Sequence, residues 1–74
     1  MSCYTSDVDR LAKQIGQRVA HFREKQGFTL PQFAEQFHFS KGYLSNIENG
    51  KRLPTIEMLS KIAKALGARL RDFF

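Results

Sequence analysis

Apolar side chains recur every third or fourth residue along most of this chain. Val8, Leu11, Ala12, Ile15, Val19 and Phe22 keep that step, which places them on one face of a helix running from about Asp7 to Lys25. Ser6 with Asp9 three residues on has the form of a capping box, and Gly27 is placed to end the helix. Gly16 interrupts the stripe at a cost of about 1 kcal/mol relative to alanine. A start nearer Gly16, leaving the first dozen residues as an arm, is the alternative. A second helix runs from Thr29 to Phe37: Thr29 and Gln32 repeat the capping-box spacing, Pro31 falls harmlessly in the first turn, and Phe33, Ala34 and Phe37 form the inward stripe. The link His38–Phe39 is long enough only for a tight turn. A third helix starts at Ser40 as N-cap and ends at Gly50. Pro54 and Thr55 announce a fourth, with Ile56, Leu59, Ile62, Ala63 and Leu66 at helical spacing and Gly67 as terminator. A last short helix holds Leu70, Phe73 and Phe74. No stretch alternates with a period of two, so strands are not expected.

The pattern therefore predicts an all-α domain, a compact five-helix bundle, over residues 1–74, with residues 1–6 as a flexible arm. The expected core is Leu11, Ile15, Val19, Phe22, Phe33, Ala34, Phe37, Leu44, Ile47, Leu59, Ile62 and Leu66. At 74 residues there is room for one small domain and little room for a catalytic cleft. Hydrophobic residues make up 42%, enough for a packed core. No apolar run approaches the ~20 residues of a membrane span, and the first residues lack the apolar stretch of a signal peptide. Cys3 stands alone and reads as an inert thiol in a reducing cytoplasm. The net charge is +5, and it is uneven: residues 1–37 carry five basic and four acidic side chains, residues 38–74 seven and three. That excess suits a polyanionic partner such as nucleic acid, although a solvated basic surface has the same signature.

Three stretches, GQRVAHFREKQGFT, FAEQFHFSKGYLSNIENGKRLPT and IAKALGARLRDFF, resemble in order and spacing the phage repressor–Cro class of helix-turn-helix proteins, often called XRE-like, over residues 16–74. The resemblance implies a lambda-repressor-like helix-turn-helix fold that binds double-stranded DNA to regulate transcription. From Leu30 to Glu48 it implies that Ala34 is small because two helices nearly touch, and that Phe33, Phe37, Phe39, Leu44 and Ile47 are core positions. Two residues depart from the family pattern. His38 replaces the usual turn glycine and must take the left-handed region, and Leu30 replaces the usual glutamine at the start of the second helix. Arg23 and Glu48 match positions that form an ion pair between the first and third helices.

Turning each residue of the third helix by about 100° gathers Lys41, Gly42, Ser45, Asn46 and Asn49 within an arc of about 140°. Tyr43, Leu44, Ile47 and Gly50 fall on the opposite arc, with Glu48 at the flank. One face is thus slim and rich in donors and acceptors, as a helix entering the major groove requires. An ordinary solvated face is the alternative. Lys41 suits guanine O6 and N7, Asn46 suits adenine N6 and N7, and Ser45 serves either base. Gly42 either permits close approach or leaves its base pair unread. Thr29, Tyr43, Asn49, Lys51 and Arg52 are the candidates for phosphate contact, with packing as the alternative for Tyr43. One such domain spans only about four or five base pairs, so a homodimer on two half-sites of a pseudo-palindromic operator is expected, paired through Phe73 and Phe74.

Catalysis finds no support. His21 lies beside a core stripe and His38 in a turn, with no nucleophile at a useful spacing. Cys3, His21 and His38 make no metal-ligand pattern, and no G-x-x-x-x-G-K phosphate loop occurs. No cofactor, metal or small-molecule ligand is expected. A protein-interaction module or an antitoxin that keeps the helical fold is the rival reading, and exposed apolar clusters are the feature that distinguishes it.

Overall fold

The computed structural model describes residues 7–74, in the order α1 (Asp7–Lys25), α2 (Leu30–Phe37), α3 (Lys41–Glu48), α4 (Ile56–Leu66) and a 3-10 helix (Leu70–Phe73). The expected arm at residues 1–6, with Cys3 and the Ser6 cap, lies outside the described residues. The starts of α2, α3 and α4 each have a local cause. Thr29 Oγ1 accepts from Gln32 N–H at 3.3 Å while Gln32 Oε1 accepts from Thr29 N–H at 3.0 Å, closing the box that opens α2. Ser40 Oγ accepts from Tyr43 N–H at 3.3 Å, and Thr55 Oγ1 from Met58 N–H at 3.1 Å. His38 takes φ 62° and ψ 38°, so the turn between α2 and α3 passes through the left-handed region without a glycine. Phe39 N–H then reaches back to the Ala34 carbonyl at 2.8 Å.

The fifth helix departs from expectation. It is a four-residue 3-10 helix, not an α-helix, and no strand occurs among the described residues. Side chains three apart line up in this geometry. Leu70 and Phe73 therefore share one side, and Phe73 enters the core with no exposed surface. Its ring meets Phe22 of α1 edge-on at 5.4 Å between centroids. Phe73 is therefore not available as the dimer contact expected of it; Phe74, 46% exposed, is.

Ile15, Val19, Phe33, Ala34, Leu44, Ile47, Leu59, Ile62 and Leu66 are all buried in one cluster, as the stripes require. Leu11, Phe22 and Phe37 pack only partly buried at its edge, whereas Ala63 and Phe73 are fully part of it. Phe28, Phe33, Phe37 and Phe39 interlock around the α2–α3 turn, with centroids 5.0 to 5.8 Å apart. Gly16 has a role that its place in the stripe conceals. Here α1 crosses α3 so closely that an added Cβ would overlap the Ile47 carbonyl oxygen and lie 2.9 Å from that of Glu48. The absent side chain permits the crossing.

Candidate nucleic-acid interface

Helix α3 buries Leu44 and Ile47 completely and leaves Lys41, Gly42, Asn46 and Asn49 exposed, with Ser45 half-buried between them. The five polar or small residues gathered by the helical step thus share the outward face. Asn49 Nδ2 donates to Ser45 Oγ at 3.4 Å, a long bond that links two of them along one edge. Nothing lies within 4 Å of a Cβ added at Gly42. Packing therefore does not require glycine there, and the opening is on the solvent side.

The helix is held from behind by one ion pair. Arg23 of α1 donates through Nε to Glu48 Oε2 at 2.8 Å and through Nη2 to Glu48 Oε1 at 3.0 Å, a two-point fork. Its third arm, Nη1, donates to the Phe28 carbonyl at 2.7 Å. Both side chains are only 10% exposed. The hydrogen bonds with Glu48 raise the guanidinium above its already high ordinary range, more than burial lowers it, so Arg23 stays charged. Glu48 is consequently committed to the frame rather than to the outward face.

Lys51 and Arg52 follow α3 in an exposed loop. The Arg52 guanidinium lies over the Tyr43 ring, 5.0 Å from its centroid, and Tyr43 is partly buried against the core. Tyr43 thus packs, the alternative expected of it, and its ring also holds a cation at the edge of α3. Sequence reading missed the pairing because nine positions separate the two residues across a helix end. Thr29 is exposed, but its hydroxyl is occupied by the α2 cap. The Leu30 substitution leaves a partly buried apolar side chain at the start of that helix. Among the described residues no group of three or more His, Cys, Asp or Glu is placed to hold a metal, and no helix is long and apolar enough to cross a membrane.

Known proteins are similar to this chain in sequence and fold. The helix-turn-helix family HTH_3 matches residues 19–73. The uncharacterized HTH-type transcriptional regulator y4dJ of Sinorhizobium fredii is 37% identical over 57 residues, covering 77% of this chain and 74% of its own. The HTH-type transcriptional regulator SinR of Bacillus subtilis is 40% identical over 53 residues, covering 70% of this chain but 48% of its own. A crystal structure of an HTH_3 family transcriptional regulator from Vibrio cholerae superposes with a TM-score of 0.83 at 34% identity, over 90% of this chain and 38% of that one. The match takes in α2, the left-handed turn, α3 and the Arg23–Glu48 brace together, and the chain belongs to the HTH_3 helix-turn-helix family of DNA-binding transcription regulators, which are not enzymes.

Proposed function

We propose that the protein is a sequence-specific regulator, acting as a repressor or controller, that inserts α3 into the major groove of double-stranded DNA. The outward face of α3 carries the reading. It offers Lys41, Asn46 and Asn49 with an open space at Gly42 and no apolar side chain, while the opposite face is sealed in the core. Lys41 donates to guanine, Asn46 pairs with adenine, and Ser45 accepts or donates beside it. Lys51, Arg52 held on Tyr43, and Asn49 engage the phosphates that flank the groove. Thr29 faces the backbone through the start of α2, where peptide N–H groups favour an anion.

Two copies pair on a pseudo-palindromic operator, with half-sites about 10 base pairs apart. Apolar side chains left in solvent support the pairing: Leu53 and Ile56 around the start of α4, at 37% and 61% exposure, and Phe74. Selection of bound duplexes from a random DNA pool tests this function. An enriched motif with two related halves is expected. Recovery of no enriched sequence, with DNA binding that is absent or weak and abolished by moderate salt, would favour the protein-interaction reading instead.

A further inference from the structure

Helix α1 begins well before the matched segment that starts at residue 19, and its early turns are not idle. Ala12 and Ile15 are buried, Gln14 Nε2 donates to the Phe74 carbonyl at 2.8 Å, and Arg18 Nη1 donates to the Asp72 carbonyl at 3.2 Å. On the side facing α3, Gly16 lies against the carbonyls of Ile47 and Glu48. One turn earlier, Lys13 lies against Gly50: a Cβ added at Gly50 would stand 2.7 Å from Lys13 Cγ and 3.2 Å from its Cα. Moving towards the start of α1 is therefore moving past the end of α3. Lys13 arrives just before Lys51. It is exposed, and among the described residues its ammonium makes no ion pair.

We infer that Lys13 is a further phosphate-binding residue, forming with Lys51 and Arg52 one cationic rim at the end of α3. The inference rests on α3 being the groove-entering helix, since the rim then lies along the DNA backbone that flanks it. Lysine suits the task as a mobile point charge on a flexible stem. Its backbone is held by a packed helix rather than by a loop, so less freedom is lost on binding than at Lys51. The stem of Lys13 lies against Gly50, just past the end of α3, where positive charge would also be favoured by the helix end. That purely structural role is separable by experiment.

Lys13→Ala, Lys13→Arg, Lys51→Ala and Lys64→Ala are to be titrated against one selected and one random duplex at several salt concentrations. Lys64 is the control, because it lies with Phe37 and Phe39 beside the α2–α3 turn, at the start of α3 and not at its end. Lys13→Ala is expected to weaken both duplexes by the same factor and to lower the salt slope by about one. The fall in affinity between about 50 and 200 mM salt then becomes about 3.5-fold smaller. Lys13→Arg should restore the slope, and Lys64→Ala should leave it nearly unchanged. A slope unaltered in Lys13→Ala but reduced in Lys51→Ala overturns the inference and leaves the proposed function standing. A melting temperature lowered in Lys13→Ala with no change in slope assigns Lys13 to the helix end alone and also overturns it. Salt-independent binding of every variant overturns both.

Discussion

A single methyl group at Gly16 decides how closely α1 and α3 can approach. Replacing a helical glycine with alanine ordinarily gains about 1 kcal/mol of helix propensity. Here the new Cβ would meet two backbone carbonyl oxygens, which cannot rotate aside as the end of a side chain can. The helices would have to separate, loosening Ile15 and Val19 from Leu44 and Ile47. Overpacking of this kind costs typically 1–3 kcal/mol and more against rigid backbone, so it outweighs the propensity gain. Gly16→Ala should therefore lose about 2 kcal/mol net in equilibrium urea unfolding; a more stable variant would contradict the close crossing. The sequence displays Gly16 only as a gap in an apolar stripe, because spacing along one helix says nothing about what lies opposite. His38 shows the reverse case. A link as short as His38–Phe39 between two patterned helices calls for a left-handed residue, so the φ of 62° at His38 follows from local spacing together with the family resemblance.

The helix starts were legible for the same local reason. Thr29, Ser40 and Thr55 each accept a hydrogen bond from the backbone three residues on, a relation contained within one turn. The chain's end was not legible. Whether Phe73 lies in solvent or in the core depends on where four residues dock against Phe22, about fifty positions earlier, and no local pattern carries that information. The Arg23–Glu48 pair also joins separate elements, 25 positions apart, yet its positions were identified through the resemblance rather than through spacing. It ties α1 to α3 at the cost of two desolvated charges, so removing either partner strands the other. Arg23→Met or Glu48→Met is expected to lose about 3–5 kcal/mol, whereas making both replacements should lose much less than the sum. A double-mutant cycle by chemical denaturation measures this, and strict additivity would contradict a coupled pair. Because the folded-state value of Arg23 is raised, its contribution is full at all pH below its ordinary range and lost only above it. Stability should therefore stay level from neutral to moderately alkaline pH as far as this pair is concerned.

At the scale of the whole molecule, the proposed function divides the work of binding between charge and exposed apolar surface. Positive charge is concentrated in residues 38–74, which supply Lys41, Lys51 and Arg52. The apolar side chains left in solvent include Val8, Leu53, Ile56 and Phe74, and the proposed dimer would cover Ile56 or Phe74. Ile56→Asp and Phe74→Asp place a charge on that surface without touching α3. In a proposed pairing through either residue, the corresponding variant should sediment as a monomer at high micromolar concentration and lose cooperative binding to two half-sites. Its affinity for one half-site should be kept. A native protein that is monomeric under those conditions, or a dimer indifferent to both substitutions, would contradict pairing through this surface.

The central claim, that the face of α3 reads bases while the loop after it only holds the backbone, is tested most directly by one set of titrations. Asn46→Ala and the native protein are compared on the selected duplex and on random DNA, with salt varied. The account predicts a loss of about 1–3 kcal/mol on the selected duplex, relaxed choice at one base pair, and affinity for random DNA nearly unchanged. Equal losses on both duplexes would contradict base reading by α3.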